Sequence, residues 1–250
     1  AVVITRNEAH NLQDCLQSMH GMVDEIIVVD SQSTDATVAI AQRHGATVAQ
    51  PADWPGFGPQ KNRALDLATC DWVFSIDADE RVTPELAAEI QQTLQIEEVN
   101  VAYKLPRLSS YCGKFIHHAG WQPDYVLRLF KRGSAKFSDD LVHERVVTDL
   151  PVRALRHHLL HYSYLNFSQV LSKVDAYSTA SAKQAYARGK RSSLAGALGH
   201  GAWAFFRTYV LRRGFLDGAH GLALSISNAE TSYYKYLKLW QMQQAEEAAA

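Results

Sequence analysis

The sequence predicts an α/β protein, a mostly parallel sheet with helices on both faces, followed by a helical region at the C-terminal end. Three observations carry that prediction. Short β-rich runs alternate with helix-patterned segments through the first part of the chain. Two of the runs, EIIVV at 25–29 and WVFSI at 72–76, are almost wholly apolar, the pattern of strands buried on both faces. No stretch of about 18 uninterrupted apolar residues occurs, so the 47% hydrophobic content belongs to a folded core and a spanning helix is not expected.

The elements follow in order. Residues 1–5 read as a strand, and 11–20 as a helix with Leu12, Cys15, Leu16 and Met19 on one face. The strand at 25–29 ends at Asp30. A second helix follows, with Thr34 as its cap, Val38, Ile40 and Ala41 along it, and Gly45 closing it. Residues 46–49 form a short strand, 51–59 a loop and 60–68 a helix. The strand at 72–76 ends at Asp77, and Thr83 with Pro84 supplies the N-cap and first position of the next helix. From 101 to 147 the pattern is strand-like and loop-rich, and after about Pro151 it turns helical. The expected division is therefore an α/β domain over 1–150 and a helical region over 151–250.

Composition narrows the classes. A formal net charge of −1 argues against whole-molecule attraction to nucleic acid. Cys15, Cys70 and Cys112 are widely spaced, odd in number and form no CxxC pair, so small core residues in a reducing compartment are expected. The chain opens inside an apolar run without methionine, basic region or cleavage site; a secretory leader is not expected, and native residues are expected to precede Ala1.

Sheets of this type bind ligands beyond the carboxyl ends of their strands. Asp30 and Asp77 each follow a strand, so the two carboxylates are expected to meet at one sheet edge. Asp77 and Asp79, two apart in SIDADERV, suit Mg²⁺ or Mn²⁺ held against a diphosphate, because hard cations take carboxylate and phosphate oxygens together. The competing reading of the same residues is turn and helix-cap chemistry. No GxGxxG follows the first strand, which disfavours a dinucleotide-dependent dehydrogenase. TRNEAHNL carries no Gly-rich phosphate loop of the kind a nucleotidyltransferase needs.

TRNEAHNL, VVDSQSTDAT, PGFGPQKNRAL and WVFSIDADERV, in that order, resemble glycosyltransferase family 2 with its GT-A fold. GWQPDYVLRLF, LVHERV, LHYSY and RTYVLRRGFLDG narrow the resemblance to bacterial lipopolysaccharide core β-1,4-glucosyltransferases, over nearly the whole chain. The resemblance implies an inverting, metal-dependent transfer of a hexose, glucose in that subgroup, from a UDP-sugar to a lipid-linked saccharide. It sets Thr5, Arg6, Asn7 and Glu8 along the nucleotide, Asp30 on the uracil, Lys61 and Arg63 near the donor with Lys61 toward its diphosphate, Asp77 at the ribose and Asp79 as principal metal ligand. His161 best matches the place of a histidine that completes the metal or diphosphate site. An inverting transfer needs a carboxylate to take the acceptor hydroxyl's proton. Glu144 and Asp140, in FSDDLVHERV, are the candidates; the resemblance favours Glu144, although the family's usual Glu-Asp pair is absent. Trp121, Asp124 and Arg128 are expected to shape the acceptor pocket. A non-catalytic sugar-nucleotide-binding module remains the alternative from another class.

Leu194, Leu198, Ala202, Phe205, Phe206 and Tyr209 fall at helical spacing, flanked by Lys183, Arg188, Lys190, Arg191, Arg207, Arg212 and Arg213. That pattern suits either packing on the catalytic domain or contact with an anionic membrane surface. With the resemblance, it implies a cytoplasmic protein peripheral to the inner face of the membrane.

Overall fold

The computed structural model describes residues 1–96, 100–139 and 144–249. The chain falls into two compact units, Ala1–Leu108 with Asp124–His161, and Ser109–Pro123 with Tyr162–Ala250.

In the first unit β1 (Val2–Thr5), α1 (Ala9–Ser18), β2 (Ile27–Asp30), α2 (Thr37–Arg43), β3 (Thr47–Ala49), α3 (Phe57–Leu67) and β4 (Trp72–Phe74) alternate as the sequence predicts. β1, β2 and β3 pair in parallel with β2 in the middle, and Thr5 stands opposite Asp30. A parallel bridge from Val2 to Ser75 sets the chain just after β4 on the other side of β1. Strand alternation divides the apolar side chains between two faces. Val3 and Val28 pack with Leu12, Leu16 and Met19, while Val2, Ile27 and Val29 pack with Ala64, Val73 and Phe130.

β5 (Glu80–Val82), α4 (Pro84–Gln95), β6 (Ala102–Tyr111), β7 (Lys114–Phe115), β8 (Tyr125–Lys131), β9 (Lys136–Phe137), β10 (Val146–Val147), β11 (Val152–Ala154) and β12 (Leu159–Tyr164) follow. The second sheet runs β4-β8-β6-β12-β5, with β11 also on β6. Here β8 is antiparallel to both β4 and β6, β12 is antiparallel to β5, and β11 is parallel to β6. The parallel pairing expected of most of the sheet thus belongs to its first strands. Beyond them β4 pairs with β8 and β5 with β12, antiparallel partners far apart in sequence.

Two local expectations are corrected. Thr34 does not cap α2: its amide is donated to Asn7 Oδ1, and Asp35 Oδ1 instead accepts from the amide of Thr37, where the helix begins. The stretch after Pro151 opens with β11 and β12 before any helix, because LLHYSY alternates at strand period and pairs along β5. Thr83 and Pro84 act as predicted, with Thr83 Oγ1 accepting from Leu86 N at 3.2 Å. Cys15 is buried, whereas Cys70 and Cys112 are half-buried.

The second unit holds the β6–β7 hairpin end, α5 (Phe167–Ala187), α6 (Leu194–Phe206), a π-helical turn Arg207–Leu211, a 3₁₀ turn Gly214–Asp217 and α7 (Gly218–Ala249). Asn166 and Ser193 cap α5 and α6 by accepting from Gln169 N and Gly196 N. Tyr111, Ile116, Val170, Val174 and Leu224 form its core. The apolar stripe predicted from Leu194 is not the packed side of α6. Ala197 and Gly201 are buried, and so is Thr208 in the turn beyond, whereas Leu194, Leu198 and Phe206 are exposed. Small residues win that position because α7 approaches closely: a Cβ added at Gly201 would lie 3.1 Å from Tyr233 Cβ.

A tighter approach holds α3. A Cβ added at Gly58 would lie 1.9 Å from the Ser138 carbonyl oxygen. Gly58→Ala is therefore expected to destabilise by about 1–3 kcal/mol through overpacking, against the roughly 1 kcal/mol that alanine gains in a helix. Urea unfolding measures it, and a raised midpoint contradicts the approach.

Candidate active site

The ends of β1 and β2 are laced together before any ligand is considered. Asp30 is fully buried, and its carboxylate accepts from Thr5 Oγ1 (2.9 Å), the Ser33 hydroxyl, Ser33 N (2.9 Å) and Gln50 Nε2 (3.2 Å). Asn7, at φ 55°, donates its amide to Ser33 Oγ and accepts from Thr34 N, both at 2.8 Å. Glu8 donates its amide to Thr37 Oγ1 (2.8 Å), and Arg6 is exposed at the tip. Burial raises the Glu8 carboxyl; the Asn11 hydrogen bond pulls the other way, and Asp79 adds to the rise. TRNEA and DSQSTDA thus form one hydrogen-bonded rim.

The chain after β4 supplies the charged centre. Lys61, on α3, is buried, and its Nζ lies 2.9 Å from Asp77 Oδ1 and 3.0 Å from Glu144 Oε1. Its reach is set by the next residue: Asn62 donates to the Phe137 carbonyl (2.9 Å) and accepts the Phe137 amide (2.7 Å), fixing α3 to β9. Arg128, on β8, places Nη2 on Asp77 Oδ2 and 2.7 Å from Glu80 Oε1. Glu80, with no exposed surface, also accepts the Asp77 amide (2.9 Å) and has Arg107 at 3.6 Å; Arg107 in turn holds Asp124 at 2.9 Å.

Burial opposes ionisation of Asp77, but Arg128 and Lys61 outweigh it and hold its carboxyl well below the usual range. Glu80 moves the other way: burial drives it up, Arg128 resists, and the neighbouring Asp77 charge adds to the rise. For Arg128 burial works against the charge, and the two carboxylates more than restore it.

Asp79 meets a different partner. The β5–β12 register sets His161 opposite Glu80, which brings His161 Nε2 to 3.2 Å from Asp79 Oδ2. A carboxylate oxygen beside an imidazole nitrogen is a donor pair that divalent cations accept, and phosphate oxygens complete such sites. The chemistry of these residues fits the expected cation.

Thr5, Asn7, Glu8 and Asp30 lie in the rim, Lys61, Asp77 and Glu144 in the charged cluster, and Asp79 with His161 as a pair, all in the first unit. Asp140 lies outside the described residues. Arg63 turns away, to Asp53 (2.6 Å) and Gln60 (3.0 Å). Arg128 and Asp124, expected in an acceptor pocket, are engaged by Asp77 with Glu80 and by Arg107 respectively. Trp121 belongs to the second unit, where it packs on Tyr111 and Tyr164. The sequence reading missed Glu80. An acid directly after Asp-x-Asp, at the head of the ERV strand, is its one signal.

A family model for glycosyl transferase family 2 matches residues 1–150. An uncharacterized glycosyltransferase of Rickettsia felis is 32% identical over 96% of this chain and 88% of its own length. The chain belongs to glycosyl transferase family 2. This family 2 glycosyltransferase is also 29% identical to the lipopolysaccharide core biosynthesis glycosyltransferase LpsC of Rhizobium meliloti, over 96% of this chain and 91% of that one. Among solved structures, S. aureus TarS superposes with a TM-score of 0.49 at 15% identity, over 65% of this chain and 59% of that chain. The α/β architecture implied by the family resemblance is the one observed.

Removing one partner of a buried ion pair strands the other. Arg128→Met is expected to cost about 3 kcal/mol in denaturant unfolding, and an unchanged midpoint contradicts the network. The stability that Asp77 contributes is complete above the ordinary carboxylate pKa of about 3.9 and is lost as pH falls below it. The stability gap between wild type and Asp77→Asn should therefore narrow below about pH 4.

Proposed function

We propose that this glycosyltransferase is an inverting, divalent-cation-dependent enzyme. It transfers a hexose, glucose by resemblance, from a UDP-sugar to a lipopolysaccharide core or other lipid-linked saccharide at the cytoplasmic face of a membrane. One observation carries the reading: a single buried ammonium, Lys61, joins Asp77 at a strand end to Glu144 in the late acidic motif, 67 residues apart in sequence. Nucleotide-side and acceptor-side carboxylates of a displacement reaction must share one small site, and that link supports it. The likeness to LpsC supports the acceptor class. In this reading residues 1–150, together with His161, bind donor and carry the chemistry, and the rest of 151–250 meets acceptor and membrane.

The strand-tip rim takes the nucleotide. Asp30 accepts the uracil imide in place of the Gln50 amide, which at 3.2 Å is the longest of its four hydrogen bonds. Thr5, Arg6, Asn7 and Glu8 line base and ribose, and Asp77 meets the ribose. Asp79 and His161 would hold Mg²⁺ or Mn²⁺, and a cation bound there would supply positive charge to the leaving diphosphate. Glu144 takes the acceptor hydroxyl's proton as that oxygen attacks the anomeric carbon from the face opposite the leaving group, so configuration inverts. Lys61 is close enough to serve both ends, as a positive charge for the diphosphate and a hydrogen-bond donor that orients Glu144.

The decisive assay follows UDP release from a panel of UDP-sugars, with and without Mn²⁺ and truncated lipopolysaccharide. Asp79→Ala should abolish transfer, and unchanged turnover refutes the assigned cation site. Glu144→Gln should lower kcat about 10²- to 10⁴-fold while donor binding holds. A product of retained anomeric configuration, read by NMR, rejects inversion.

A further inference from the structure

Helix α6 is apolar on the side away from its packing partner as well as on the side facing it. Ala197 and Gly201 are buried, yet Ala195, Gly199, Ala202, Trp203 and Phe206 all lie on the outer side at 100° per residue and are exposed. His200 is the only polar side chain in the helix, and its ring stacks on Tyr236 at 3.7 Å. The apolar surface continues past the helix. Trp203, Phe206, Val210, Phe215 and Leu216 are between 43% and 55% exposed. The turn bearing Phe215 and Leu216 is anchored, because Asp217 is buried and accepts the amides of His117 (3.1 Å) and His118 (2.9 Å). Two large apolar side chains are therefore held outward by a fixed backbone.

A helix apolar all round is normally buried in a core or in lipid. At 13 residues α6 is about 20 Å long, short of the roughly 30 Å hydrocarbon layer. Among the described residues no helix is long and apolar enough to cross a membrane. The charge around the patch selects its occupant. Residues 176–216 contain seven of the chain's 25 Lys and Arg and none of its 26 Asp and Glu. A second copy docked symmetrically on the patch would set these like charges against one another, whereas anionic headgroups complement them.

Resting on the reading of a lipid-linked acceptor, we propose that α6 and the 207–216 turns form a monotopic membrane anchor. The segment lies in the plane of an anionic leaflet. Trp203, Phe206, Val210, Phe215 and Leu216 enter the acyl boundary, and Arg207, Arg212 and Arg213 meet lipid phosphates. Adhesion is thus apolar as well as electrostatic, which distinguishes it from a basic surface held by charge alone.

Cosedimentation of the full chain with phosphatidylcholine vesicles, with and without phosphatidylglycerol, tests this. Wild type is expected to bind the anionic vesicles. The triple variant Trp203→Ser, Phe206→Ser, Leu216→Ser should bind them at least about tenfold more weakly, with UDP-sugar hydrolysis unchanged. Brominated lipid should quench wild-type tryptophan fluorescence more than that of Trp203→Phe. A triple variant that binds like wild type overturns insertion, as does a wild type that ignores vesicles and forms a dimer dissociated by the same substitutions. Vesicle binding without any donor turnover rejects the transferase reading and leaves the anchor standing.

Discussion

The first unit is organised around a charge cluster in which Lys61, Arg128 and Glu80 are buried and the Asp77 side chain is 31% exposed. Asp77 lies between Lys61 and Arg128, and Arg128 also holds a fully buried Glu80. Each member is costly to bury alone and tolerable only with the others in place. These four residues come from α3, the turn after β4, β5 and β8, so a charge balance that forbids partial assembly also fixes how those elements meet. The Asp-x-Asp turn inherits its shape from this arrangement: Glu80 accepts the Asp77 amide, and Asp79 is left to face His161.

Around that cluster, backbone approach does what side chains cannot. The Gly58 contact with Ser138 and the two-way bond between the Asn62 amide and the Phe137 backbone lock α3 to the strand leading toward Glu144. The nucleotide side and the acceptor side of the proposed reaction are thereby tied to one helix. Within the cluster the pKa directions diverge: Asp77 is held ionised by its cations, and Glu80 is driven toward protonation by burial.

The parts of this molecule that could be read from sequence are those written locally. Uninterrupted apolar runs ending in Asp30 and Asp77 marked strand tips, and Thr83-Pro84 marked a helix start, because those signals need only a few adjacent residues. Antiparallel pairing beyond β4 was hidden, since register is decided by partners far along the chain. The same holds for Arg128, 51 residues from Asp77, whose partner no spacing announces. Residues 109–123 gave no sign that they pack with the C-terminal helices. The outer face of α6 was half legible: its apolar spacing was plain, but that small residues and not large ones would face α7 followed only from the closeness of the two helices.

The left-handed backbone at Asn7 changes how mutagenesis at the strand-tip rim must be interpreted. Asn7 is bent to φ 55° and bridges Ser33 and Thr34. An alanine there strains the chain as well as removing an amide, so a routine alanine scan would credit nucleotide recognition with a loss that belongs to loop shape. Paired glycine and aspartate replacements separate the two. Glycine relieves the strain without restoring the acceptor, and aspartate keeps an acceptor in a residue type that tolerates this conformation.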